Sequence, residues 1–214
     1  MTSTTSRRRD TRSEQTRAAL IEAAETLFAR DGFDRVSTRQ IGAAIGSGNN
    51  TVVAYHFGSK DALIEAIYRY RIPQIEARRA ELRRAAQARG SEGSLREMFH
   101  ALWQPLFEAV NEQGQHVYAM FLQAMMRDGM LRSPRLVIGD IGETMALVDL
   151  ITEQLPFARG PRWDLRWQLA TNLVLDAIRF IDAQHPGDRD GREAQFREAI
   201  DMAIAALLAP VPAG

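Results

Sequence analysis

Asn50, Thr51, Ala54 and Tyr55 are the residues whose chemistry and spacing match the edges of nucleic-acid bases. On a helix turning about 100° per residue, Thr51 and Tyr55 fall near one direction and Val53 and Phe57 near another. Asn50 and Ala54 lie between the two. An amide can pair bidentately with adenine, and hydroxyls reach bases or phosphates. A small side chain admits close approach to a thymine methyl group. Val53 and Phe57 are expected to pack inward, which leaves the other four facing out. Asn49 needs no such role, because helix capping explains it.

These side chains require a frame, and residues 37–63 supply one. Ser37 is expected to cap a short helix whose apolar residues Ile41, Ala44 and Ile45 recur at helical spacing. Gly46, Ser47 and Gly48 then break the pattern. Asn49 opens a second short helix that runs through Phe57, Gly58 stops it, and Ser59 opens a third. Two short helices joined by a tight glycine turn form a helix-turn-helix, whose second helix can enter the major groove. Many amphipathic helix pairs touch no DNA, so the pattern alone is a weak signal.

The rest of the chain reads as all-α, with no strand-like run. Leu20, Ile21, Ala24, Leu27 and Phe28 form one stripe on a first helix expected from Ser13 to Arg30. Residues 1–12 carry four arginines against one aspartate and read as a disordered basic arm, free to lie along phosphates or a minor groove. The expected organisation is this arm at 1–12, a three-helix DNA-binding domain at 13–58, a larger helical domain at 59–209 and a tail at 210–214. A long helix starts at Ser59, and Pro73 is expected to kink or split it. Further helices are expected at 94–111, 115–128, 133–156, 161–181 and 191–209.

Trp103, Phe107, Tyr118, Phe121, Met125, Met126 and Met145 make the middle of the chain rich in aromatics and methionine. Such residues build plain core, and they also suit an adaptable apolar cavity. If they line a small-molecule site, an apolar or amphipathic ligand is expected. The last two helices are apolar enough to form a dimer interface or to pack within one subunit.

Composition sets limits. The 214 residues suffice for a real core, and 27 basic residues balance 27 acidic ones. That balance speaks against a non-specific nucleic-acid coat. With no cysteine, disulfides and zinc-thiolate sites are excluded, which fits a cytoplasmic protein. No apolar run has signal or membrane-spanning length. The four histidines sit in no metal or catalytic motif, and no nucleophile elbow or phosphate loop occurs. No enzyme, metal or cofactor is therefore expected.

The run LIEAAETLFARDGFDRVSTRQIGAAIG followed by NNTVVAYHFGSKDALI resembles the TetR family of transcriptional regulators over about the first 65 residues. One departure is an extra residue in the turn before Tyr55-His56-Phe57, which looks like a subgroup with a longer turn and an Asn-Asn pair. The resemblance implies DNA contacts at Thr38, Tyr55, His56 and Lys60, and a base-reading position at Arg39. Lys60 is also the only lysine in the chain, placed at a helix start where a phosphate would be welcome. The family further implies a homodimer built on the last two helices, a palindromic double-stranded operator, a small-molecule effector and repression. The rival reading is a helical ligand-binding or interaction protein that does not bind DNA.

Overall fold

The computed structural model describes residues 3–91, 93–129, 141–157, 160–184 and 188–210, with side chains from residue 11 onward except that of residue 189. Within them the chain is helical and contains no strand. It divides into two compact units, Met1–Arg71 with Ala124–Gly139, and Ile72–Gln123 with Asp140–Gly214.

The first unit begins with α1 (Ser3–Asp31), then α2 (Thr38–Ala44) and α3 (Val52–Phe57). It also holds the first part of α4 (Lys60–Ala88). α1 starts at Ser3 rather than at the expected Ser13, so the helix takes in most of the basic segment read as a separate arm. No glycine or proline interrupts residues 3–31, and arginine and alanine favour helix. Leu20, Ala24, Phe28, Ile41, Val53, Leu63 and Ile67 are fully buried and form the core of this unit. Each of these side chains other than Ala24 contributes roughly 1.5–3 kcal/mol of burial. Phe28 stacks on Phe33 at 4.7 Å between ring centres, which ties the α1–α2 loop to α1.

The second unit contains α5 (Leu95–Glu108), α6 from Val117 as far as Gln123, α7 (Gly142–Glu153), α8 (Pro161–Gln184) and α9 (Arg189–Leu208). α5 is its centre: every residue from Ala101 to Phe107 is buried, and the helix packs against α7 and α9. α8 and α9 run antiparallel. Arg166 near the start of α8 donates to the carbonyls of Leu207 and Ala209, while Asp182 near its end accepts from Arg192.

α4 is not split at Pro73; the helix continues through it to Ala88. Pro73 is exposed, so its ring sits on the solvent side of the helix. The helix expected from Ser133 is described only from Gly142, and its first residues lie outside the described ones, as does most of the tail.

Candidate nucleic-acid interface

The interface is set by how α2 and α3 are capped and joined. Ser37 accepts from the Gln40 backbone N–H at 3.3 Å, and the Gln40 side chain accepts from the Ser37 N–H at 2.8 Å. This reciprocal capping box fixes the start of α2. Gly46 takes a left-handed conformation, φ +70°, and Ser47 N–H bonds back to the Gly42 carbonyl at 3.0 Å. The Gly46 N–H bonds to Ala43, completing the pattern that ends many helices at glycine. Ile41 is buried as expected, but Ala44 is exposed and Ile45 half-buried. The inward face of α2 is completed by Gly42, which sequence periodicity passes over.

α3 begins at Val52, so Asn50 and Thr51 belong to the turn before it rather than to the helix. Asn49 explains the shift. Its Oδ1 accepts from the Thr51 N–H at 2.9 Å and from the Thr51 hydroxyl at 2.8 Å, and this closed turn holds the chain out of helix. Thr51 has thereby spent its proton and offers acceptor lone pairs outward. Asn50 is exposed, and its amide has no hydrogen-bond partner among the described residues.

Val53 is fully buried, as read from the sequence, and Phe57 is half-buried. Val52, on which the sequence reading is silent, is buried too, against Gly42. Ala54 is exposed, and Tyr55 is 78% exposed, the largest exposure among the bulky apolar side chains of the described residues. His56 sits edge-on to Tyr55 at 5.0 Å. Burial and then the nearby Arg17 charge lower its pKa, so it is neutral at neutral pH.

Arg39 is exposed at the start of α2, beside half-buried Thr38. Lys60 is half-buried: its Nζ donates to the Phe33 carbonyl and lies 5.5 Å from the centre of the Phe28 ring. An ammonium has three N–H donors, so this clamp leaves two. Ser59 accepts from the Ala62 N–H at 3.1 Å and caps α4.

Two contacts escaped sequence reasoning. Arg17 of α1 stacks over Phe57 at 4.5 Å, pinning the end of α3 through a cation–π contact. Arg71 forms two hydrogen bonds, at 2.8 and 3.0 Å, to fully buried Glu25. In both pairs the partners are far apart in sequence, and no spacing rule links them.

The residues read as a ligand pocket fare unevenly. Trp103, Phe107, Tyr118, Phe121 and Met125 are buried and Met126 is half-buried, whereas Met145 is 43% exposed. Met145 lies on the side of α7 opposite buried Leu147, two residues on and about 200° around the helix. Met125 and Met126 fall in the first unit and the other five in the second. Phe107 lines a cavity of about 630 Å³ in the second unit. The Trp103 indole N–H is buried with no hydrogen-bond partner among the described residues. In the wall of this cavity His116 is fixed between the Phe107 carbonyl, 2.7 Å from Nε2, and Asp182, 2.6 Å from Nδ1. No cluster of potential metal ligands occurs among the described residues, and no described helix is long and apolar enough to cross a membrane.

No curated protein matches the chain. Residues 20–67 match the model of the bacterial regulatory proteins of the tetR family. The match runs from the buried part of α1 through the helix-turn-helix into α4. Residues 20–67 are thus a helix-turn-helix domain of the tetR type, and they support membership of the chain in that family of regulators.

Proposed function

We propose that this chain is a ligand-responsive transcriptional repressor that binds a palindromic operator as a homodimer and leaves it when a small molecule binds. The observation that carries the DNA-binding part is the placement of Tyr55. It stands 78% exposed on a helix whose other side, Val52 and Val53, is buried. A folded domain gains nothing from holding a large ring in water at that point, whereas a groove-facing helix uses it. Asn50, Thr51, Ala54, Arg39, Thr38 and His56 surround it as readers of bases or phosphates. Lys60 contributes its two remaining N–H donors to a backbone phosphate.

The homodimer is supported by an unpartnered apolar stripe. Leu165, Leu169 and Phe180 of α8 and Met202 of α9 are each more than half exposed. The α8 residues recur at helical spacing along one face. A two-fold pairing of this face buries it and presents two recognition helices to two half-sites.

Ligand response is supported by the cavity at Phe107 and by the unpartnered Gln104 Oε1 in its wall. α4 is a single helix of 29 residues that begins beside α3, so a ligand that prefers one position of α4 biases the recognition helices. The bias can be no larger than the ligand's differential affinity for the two arrangements.

The deciding experiment recovers protein-bound fragments from genomic DNA and measures their affinity by fluorescence anisotropy. A specific, two-fold symmetric site is expected. Tyr55→Ala is expected to weaken binding to it by about tenfold or more, equivalent to 1.4 kcal/mol, with an unchanged melting temperature. Equal binding to all fragments at low salt overturns the reading in favour of a helical protein without operator recognition.

A further inference from the structure

The cavity of about 630 Å³ in the second unit has a size suited to a small organic molecule. Gln104, Phe107, Glu108, Glu112, Arg192 and Glu193 all line it. Its chemistry is one-sided. Gln104 is 8% exposed, donates its Nε2 to Glu108 at 3.3 Å, and leaves Oε1 without a hydrogen-bond partner. A buried acceptor in that state calls for a donor, and no described side chain provides one.

The charges point the same way. Three carboxylates face the cavity, and Arg192 is the guanidinium among its lining residues. Arg192 is neutralised from behind: its Nη2 donates to Asp182 at 2.8 Å and to the Gly114 carbonyl at 2.9 Å. His116 is held between Asp182 and the Phe107 carbonyl. Glu108 is paired with Arg78 at 2.7 Å, and Glu193 meets Arg197 at 3.5 Å. Glu112 is exposed and has no ion pair among the described residues. The walls therefore hold an excess of acceptors and one uncompensated negative charge. Phe107 provides an apolar surface, its ring already stacked between His116 at 4.7 Å and Phe196 at 4.2 Å.

We propose that this cavity binds an organic cation bearing N–H donors, an amine or amidine with a flat apolar body. The N–H groups satisfy Gln104 Oε1 and the carboxylates of Glu112 and Glu193, and the body lies against Val110 and the open edge of the Phe107 ring. That such a cation is the effector rests on the ligand-responsive reading above; that it binds here does not.

Calorimetric titration of the full chain with matched probes tests the site. Benzamidine and benzylamine carry the positive charge, benzamide is neutral and benzoate is negative. Both cations are expected to bind at least tenfold more tightly than benzamide, with benzoate weakest. The double variant Glu112→Gln, Glu193→Gln is expected to remove most of that preference, and both positions tolerate the change because they lie at the surface or half-buried. Gln104→Leu is expected to weaken the cations and benzamide, which all carry N–H donors, and to leave benzoate unchanged, with circular dichroism reporting that the fold is intact. Equal affinities, a preference for benzoate, no binding of either cation, or variants that bind as the parent does would each overturn the proposal. Anisotropy on the operator with and without benzamidine separates the two claims. Cation binding that leaves DNA affinity unchanged retains the site and removes the effector role. Absence of any DNA binding removes the regulator reading and leaves the calorimetric result standing.

Discussion

Gly42 of α2 and Val52 of α3 interlock: a Cβ added to Gly42 would lie 2.9 Å from Val52 Cγ1 and 3.6 Å from the Asn49 carbonyl. Val52 is β-branched and 7% exposed, so it cannot swing away cheaply. Glycine at this point sets how closely the two helices of the motif approach, and so the direction in which Tyr55 faces.

Gly42→Ala is expected to push α3 outward. Alanine's better helix propensity returns up to about 1 kcal/mol. Overpacking costs about 1–3 kcal/mol. The net effect is therefore a modest destabilisation of up to about 2 kcal/mol, accompanied by a loss of DNA affinity. Val52→Ala placed on top removes the clashing methyl groups and is expected to restore part of that affinity. A double variant no better than Gly42→Ala alone would show that the interlock does not orient α3.

Lys60 carries a second expectation. Its Nζ holds the Phe33 carbonyl and the Phe28 ring, so Lys60→Ala removes an internal clamp as well as a cation. A hydrogen bond to a charged group contributes about 1.5–3 kcal/mol, less here because the side chain is half-buried. The melting temperature is expected to fall by a few degrees. If Lys60 also meets a phosphate, the salt dependence of operator binding drops by about one unit. A lowered melting temperature with an unchanged salt slope confines Lys60 to the clamp.

The sequence carried the all-α fold, the capping of α2 and α4, the glycine turn at Gly46 and the exposure of Tyr55. These are local properties, set by residues within a few positions of one another. It misplaced the start of α3, because the Asn49 side chain can cap a helix or close a turn, and here it closes the turn on Thr51. It put Ala44 inside, because periodicity cannot see that Gly42 is where the helices touch. The pairs Glu25–Arg71 and Arg17–Phe57, and the packing of His116 against Asp182, each join residues more than 30 positions apart. Only the folded chain brings them together. The aromatic and methionine residues of the middle region announced burial correctly for most, but burial does not distinguish a core from a cavity wall.

The buried Glu25–Arg71 pair makes stability depend on pH in a stated direction. Burial raises the Glu25 carboxyl above its ordinary 4.5, and the Arg71 hydrogen bond and charge only partly oppose this. The folded chain thus holds the Glu25 proton to higher pH than the unfolded chain does. This contribution is fully present below the unfolded value and is lost as pH rises through the folded one. Glu25→Gln is neutral at every pH, so the fall in stability between about pH 5 and about pH 8 is expected to be smaller in the variant. Urea unfolding at intervals across that range measures it. Arg71→Met, which strands the carboxylate, is expected to cost about 3 kcal/mol near neutral pH. An identical pH slope in Glu25→Gln and the parent would remove the group from the account.

The apolar stripe on α8 yields the last expectation. Leu169 and Phe180 are each 56% exposed and lie on the same face. Beside Phe180 a groove of about 410 Å³ runs between α8 and α9, lined by Leu173, Ala177, Ala199 and Met202. In a two-fold interface each surface patch meets its own copy, so a protruding ring and an adjacent groove can serve one another. Phe180→Glu places a charge where that ring would be buried, and a buried unpaired charge costs several kcal/mol. Sedimentation is expected to show a dimer for the parent at micromolar concentration and a monomer for the variant. Each monomer remains folded, because Ile178 and Ile181, the neighbours of Phe180 that face the subunit's own core, are untouched. Operator binding falls with dimerisation, since one helix-turn-helix covers a single half-site. A Phe180→Glu protein that sediments as the parent does would move the interface elsewhere.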